Sequence, residues 1–219
     1  IWKNFGRQLM ADLNIKKAES IDHVTIFGSA HAKDNSQVAK DAYEVCKTLA
    51  EVGYVIVNGG GPGVMRAATI GAKSAGGKVI GVTFQAEKMM HYEGRDPKNL
   101  FDVEIKTKNY IDRTLTLLGE GQIYVIFNGG TGTISEFGMA WGVAKLFFGH
   151  HKPLILYGDF WQNIIKAFKE NMIMTSEELK VYKIVNSPEQ VLQAIMEFEE
   201  ELARGEHKHL KTTRGELSI

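Results

Sequence analysis

The sequence predicts a doubly wound α/β fold, a mainly parallel Rossmann-like sheet with helices on both faces. Short, continuous apolar runs alternate with longer stretches whose apolar residues recur at helical spacing. Strands buried on both faces of a parallel sheet read that way. Two glycine clusters, Gly59-Gly60-Gly61-Pro62-Gly63 and Gly129-Gly130-Thr131-Gly132, each follow an apolar run and precede a helical one. Right-handed crossovers wind such a sheet in both directions, and ligands bind outside the carboxyl ends of its strands.

Each element follows in order. Val24 to Phe27 is a buried strand ending at Gly28-Ser29. Ser36 to Val52 is a helix, with Val38, Ala42, Val45, Leu49 and Val52 on one face and Gly53 as its stop. Tyr54 to Val57 is a strand entering the triglycine. Pro62 to Ala75 is a helix with proline in its first turn and Gly76-Gly77 past its end. Lys78 to Val82 is a third strand. Phe84 to Leu100 reads as a loop, in which Met89, Met90 and Tyr92 form either a base-binding lid or ordinary connection. Phe101 to Ile105 is a short strand, Asn109 to Leu118 a helix and Gln122 to Phe127 a strand. Ile134 to Phe148 is a long helix, apolar on nearly every face. Such a helix is buried all round, either by its own chain or by a second copy. Pro153 to Tyr157 is a strand, Phe160 to Asn171 a helix, Val181 to Val185 an edge strand and Pro188 to Leu202 the last helix. All four prolines fall at element edges or in loops. The whole chain, 1–219, is read as one domain, with 1–20 as an N-terminal helical extension and 204–219 as a tail.

Composition narrows the function. A chain of 219 residues buries roughly 70 % of its unfolded surface without staples. Lys+Arg and Asp+Glu both number 26, giving a formal net charge of zero. That balance argues against bulk electrostatic binding to nucleic acid or to an anionic membrane. One cysteine excludes a disulfide framework and a cysteine-rich zinc site. No apolar run reaches the ~18 residues of a membrane span, and no signal peptide is evident, so the expected compartment is cytoplasmic.

The 23 glycines are clustered, which marks backbone that bends sharply or approaches something closely. Gly129-Gly130-Thr131-Gly132-Thr133 joins a strand to a helix N-terminus, where free N–H groups and the helix dipole favour an anion. Two readings stand: a phosphate site with Thr131 and Thr133 as extra donors, or a tight turn with a helix cap. Thr133-Ile134-Ser135-Glu136 fits the capping box, in which Glu136 bonds back to the cap. Gly60, Gly61 and Met65 of the first cluster, and Gly28-Ser29, are candidates for the same crevice. Neither a dinucleotide fingerprint nor a GxxxxGK[ST] loop is present. Arg113, in the first turn of its helix, is either a site residue or a surface arginine beside Asp112. Cys46 reads as packing. His150-His151 lack a third ligand at metal spacing and read as a solvated loop, so no metal is expected.

Gly59-Gly60-Gly61-Pro62-Gly63-Val64-Met65, Gly76-Gly77-Lys78-Val79-Ile80-Gly81-Val82 and Gly129-Gly130-Thr131-Gly132-Thr133-Ile134-Ser135-Glu136, in that order, resemble the LONELY GUY (LOG) family. Phe27-Gly28-Ser29-Ala30 is similar to its first loop, and the resemblance runs from Ile21 to Phe168. It implies a nucleotide phosphoribohydrolase that releases a free base and ribose 5-phosphate from AMP or an N6-modified AMP, without metal or cofactor. It also implies a homodimer, expected here near the helix from Ile134. Glu136 matches the signature glutamate, and Arg113, 23 positions earlier, falls where the family has its catalytic arginine. Asn128 stands where the family has proline, Thr131 where it has an aromatic residue, and Thr114 where active enzymes carry lysine. Molybdenum-cofactor carriers share the scaffold, and Asn128 and Thr114 favour that alternative: a binding protein without turnover. The label "possible lysine decarboxylase" that many members carry is rejected, because no lysine follows a site-like loop as a pyridoxal-phosphate anchor would.

Overall fold

The computed structural model describes residues 17–85, 94–149 and 151–204. Most of the expected N-terminal extension, nearly all of the tail, and Met89, Met90 and Tyr92 lie outside the described residues.

Seven strands form one sheet: β1 (His23–Phe27), β2 (Val55–Asn58), β3 (Val79–Phe84), β4 (Val103–Thr107), β5 (Ile123–Ile126), β6 (Leu154–Tyr157) and β7 (Tyr182–Val185). Their order is β4-β3-β2-β1-β5-β6-β7, and all neighbours pair in parallel. Among the described residues, six helices alternate with them: α1 (Gln37–Val52), α2 (Val64–Ser74), α3 (Tyr110–Glu120), α4 (Thr131–Leu146), α5 (Phe160–Asn171) and α6 (Pro188–Arg204). The predicted doubly wound α/β architecture is the observed one.

Continuous apolar strands work because each face of the sheet has its own core. Val24 and Ile26 of β1, with Ile123 and Val125 of β5, pack under α1, α2 and α6. The alternate residues Phe27, Tyr124 and Ile126 pack under α3, α4 and α5. A strand alternates its side chains between faces, so residues 24 and 26 meet one helix layer and 27 the other.

The chain runs outward from β1 to β4, then returns through α3 to place β5 on the other side of β1. Connections leave the adjacent ends of β1 and β5 in opposite directions, opening a crevice at their carboxyl ends.

Several boundaries differ from the sequence reading. The connection read as starting at Phe84 begins later, because Phe84 closes β3. The strand expected over 101–105 lies at Val103–Thr107. The helix expected from Ile134 starts at Thr131, since Thr131, Gly132 and Thr133 form its first turn. His151 is not solvated: the residue is 6 % exposed and its ring stacks on Phe148 at 5.6 Å. His150 lies outside the described residues.

The long helix is also not buried all round by its own chain. α4 buries Thr133, Glu136, Phe137, Ala140 and Ala144. It leaves Ile134, Gly138, Gly142 and Leu146 exposed. Among the described residues, no helix is long and apolar enough to cross a membrane.

Candidate functional site

The crevice at the carboxyl ends of β1, β2 and β5 holds a cavity of about 430 Å³. Residues 26–31, Gly59, Met65, Tyr110, Arg113, Gly130 to Thr133, Ser135 and Glu136 line it. Both glycine clusters reach it, because each ends a central strand beside the reversal point.

The loop after β1 is pinned between the other two turns. Ser29 N–H donates to the Asn128 carbonyl at 3.1 Å, and the Ser29 carbonyl accepts Val64 N–H at 2.9 Å. Ser29 Oγ accepts the His31 N–H at 3.1 Å. One wall thus comes from β1, another from the start of α2 and a third from the start of α4.

α4 begins at Thr131 with Gly130 as its N-cap, and no side chain caps it. The first N–H groups of a helix have no carbonyl one turn back to bond. Those of Thr131, Gly132 and Thr133 therefore carry the positive end of the helix dipole into the cavity wall. The capping-box alternative does not hold. With Gly130 as cap, the third helical residue is Thr133, and Glu136 lies almost a turn further on.

Glu136 instead meets Arg113. The Arg113 Nη1–Glu136 Oε1 distance is 3.4 Å, with both side chains inside the protein (5 % and 7 % residue exposure). Arg113 is not a surface arginine beside Asp112. Asn109 caps α3 by accepting Asp112 N–H and donating to Asp112 Oδ2 (both 2.9 Å), which keeps Asp112 at the helix end. Arg113, one residue on, points inward. Its Nε donates to the Val82 carbonyl at 3.2 Å and its Nη2 to the Gly59 carbonyl at 3.1 Å. Met65 Sδ lies 3.7 Å from Nη2. Glycine at 59 leaves the space that the Arg113 guanidinium fills: a Cβ there would stand 1.5 Å from Nη2, and Arg113 would have to move.

Burial pushes the Glu136 carboxyl up to about 7, and the Arg113 charge and hydrogen bond offset only part of that. A carboxyl poised there exchanges protons near neutrality.

The structure brings together Gly28, Ser29, Met65, Arg113, Gly130, Thr131, Gly132, Thr133 and Glu136. Gly60, Gly61 and Gly129 do not line the cavity. They shape the turns behind it: the Gly60 carbonyl accepts Asp96 N–H, and the Gly61 carbonyl accepts Asn99 Nδ2 (both 2.9 Å). Thr114 also stays out, fully buried with its hydroxyl on the Tyr110 carbonyl at 3.0 Å. Sequence reasoning missed Gly59, His31, Tyr110 and Ser135 as lining residues. Tyr110 was findable, because it lies one turn before Arg113 at the same helix end. His31 and Ser135 carried no such signal. Cys46 is fully buried and burial pushes its thiol far up, in keeping with packing.

The family model of the SLOG cluster4 family matches residues 22–192 of this chain. An uncharacterized protein of Archaeoglobus fulgidus is 31 % identical over 117 residues, 53 % of this chain and 73 % of its own. The molybdenum cofactor binding protein of the phototrophic bacterium Rippkaea orientalis has a similar structure. It is 24 % identical, with a TM-score of 0.61, covering 82 % of this chain and 98 % of its own. DNA processing protein A of Helicobacter pylori, studied for single-stranded DNA binding, is 12 % identical with a TM-score of 0.56. That likeness covers 84 % of this chain and 86 % of the other. These structural likenesses show the fold.

Proposed function

Since this chain belongs to the SLOG cluster4 family, which agrees with its LOG-like motifs, we propose that its crevice hydrolyses nucleoside 5′-monophosphates. The substrate is AMP or an N6-modified AMP, and the products are the free base and ribose 5-phosphate. The buried Arg113–Glu136 pair beside an uncapped helix N-terminus is the observation that supports this reading most.

The phosphate is held by the N–H groups of Thr131, Gly132 and Thr133, with the Thr131 and Thr133 hydroxyls as further donors. The ribose then lies against Glu136. As the bond from C1′ to the base nitrogen breaks, positive charge develops on C1′ and the ring oxygen, as in glycoside cleavage. An ionised Glu136 stabilises that charge and takes a proton from the water that attacks C1′. One water is consumed: its oxygen ends on C1′, and the departing base gains a proton. Arg113 orients Glu136 and holds its charge in place. Neither metal nor cofactor enters this scheme, and the balanced charge of the chain leaves nucleic acid outside it.

We place a homodimer contact on α4. Ile134, Gly138, Gly142 and Leu146 recur at intervals of four and so form one stripe along the helix. A Cβ at Gly138 or Gly142 would meet nothing within 4 Å. Glycine in an open helix interior costs about 1 kcal/mol relative to alanine, a cost that close approach of a second helix would explain.

The alternative is a carrier that binds a nucleotide or a molybdenum cofactor without turnover, which the Rippkaea orientalis protein favours. Incubation with a panel of nucleoside monophosphates, read by chromatography of the free base, separates the two. The hydrolase releases base, and Glu136→Ala and Arg113→Ala lower the rate at least about 100-fold while keeping the fold. Release from none of them supports the carrier instead.

A further inference from the structure

We propose that Asn58 is a positioning residue that fixes the Gly59 carbonyl on the Arg113 guanidinium, so that Arg113 meets Glu136. This goes beyond the hydrolase reading and rests on its choice of Arg113 and Glu136 as the working pair.

Asn58 is the last residue of β2 and is wholly buried. Its neighbours Ile56 and Val57 are apolar, as a parallel central strand requires. A polar side chain in such a place costs free energy unless both ends of its amide are bonded. Both are: Nδ2 donates to Thr69 Oγ1 at 2.9 Å, and Oδ1 accepts Gly60 N–H at 2.9 Å.

The second bond reaches the site through one rigid group. The Gly60 N–H and the Gly59 carbonyl belong to the same planar peptide unit and point to opposite sides of it. Holding the N–H toward Asn58 therefore aims the carbonyl the other way, where Arg113 Nη2 donates to it at 3.1 Å. That peptide needs holding, because it lies between two glycines and Gly60 sits at φ +73°. Without Asn58, the unit rotates at little steric cost. Arg113 then keeps the Val82 carbonyl but loses its second anchor. Two carbonyls, one on β3 and one in the turn after β2, define the guanidinium plane, and one does not. The chain of contacts runs from Thr69 on α2, through Asn58 and the 59–60 peptide, to Arg113 and Glu136.

The test uses the full chain labelled with ¹³C at the glutamate carboxyls and follows the Glu136 signal by NMR against pH, without substrate. Glu136→Gln identifies the signal. Loosening Arg113 removes a charge that favours the carboxylate, so the Glu136 midpoint should rise by roughly 1 pH unit in Asn58→Ala. With AMP, kcat should fall about 10- to 100-fold while KM stays within about threefold. Asn58→Ser, whose hydroxyl still accepts the Gly60 N–H, should fall between the two. Asn58→Val suits a buried strand and carries the same expectation should the alanine variant not fold. Ile56→Ala, a core truncation on the same strand, should lower stability and leave the midpoint unmoved. An unchanged midpoint in folded Asn58→Ala or Asn58→Val, or an equal rise in Ile56→Ala, overturns the proposal. Absence of base release by the wild type would instead sink the hydrolase reading, and the midpoint comparison would still stand.

Discussion

Glu136 is a buried acid with one cationic partner, and its protonation connects activity with stability. For a carboxylate that accepts a proton from water, activity rises with pH along a limb centred near 7, where burial has pushed the group. A pH–rate profile on AMP checks this; a rate that falls through the same range would make Glu136 an acid instead. The stability effect has the opposite sign. The folded protein holds the proton to higher pH than the unfolded chain, so Glu136 costs nothing well below the ordinary glutamate value of 4.5. The penalty grows as pH rises toward about 7 and is full above it, with an upper bound of about 3 kcal/mol. Glu136→Gln is therefore expected to melt at higher temperature than the wild type at pH 8, and the gain should shrink at pH 5. Gly59→Ala should match Arg113→Ala in lost activity, since its Cβ would occupy the Nη2 position. At this scale the sequence singles out Arg113 and Glu136 but not the carbonyls that hold Arg113 against Glu136. Thr133 and Glu136 fit a capping spacing, and only the position of Gly130 as cap removes Glu136 from that role. Asn58 drew no notice, because a single asparagine ending an apolar run has no periodic signature.

At the scale of elements, α4 supplies an N-terminus that no side chain caps, the Glu136 carboxyl and an open apolar face. A run apolar on nearly every face implies that something covers it without identifying the cover. The structure divides that run into a side packed on the sheet, with Phe137 stacked on Trp141 at 5.0 Å, and a stripe of small and aliphatic residues left open. If a second copy covers the stripe, Gly138→Lys should convert a dimer into a folded monomer, as read by light scattering. A wild type already monomeric at working concentration would contradict the contact. Helix starts were the least legible boundaries. Glycine and threonine read as loop residues, yet Thr131 to Thr133 are helical, since a first turn tolerates what an interior does not. The burial of His151 is hidden in the sequence for a similar reason. A polar residue between elements looks solvated until Phe148 and Phe198 close on its ring.

Across the whole molecule, strand order decides where the chemistry sits. The reversal between β1 and β5 gathers Ser29, Gly59, Arg113 and Glu136 from four separate connections into one cavity. The place of the crevice is legible in the sequence, because alternating apolar runs imply a parallel sheet and clustered glycines mark the strand ends beside it. The inward turn of Arg113 was not, because it depends on carbonyls supplied by β3 and the β2–α2 turn. AMP should raise the melting temperature of Glu136→Gln, since a ligand at 100 times its Kd adds about 2.7 kcal/mol to the folded state. Binding alone suits a carrier equally, so the decisive observation concerns the bond to the base. Proton NMR of AMP with the wild-type protein follows the anomeric H1′ signal directly. It is expected to vanish in step with the rise of equal amounts of free base and ribose 5-phosphate, and to persist with Glu136→Gln. An H1′ signal that broadens on binding yet never decays, for AMP and for its N6-modified forms, would contradict hydrolysis at this site.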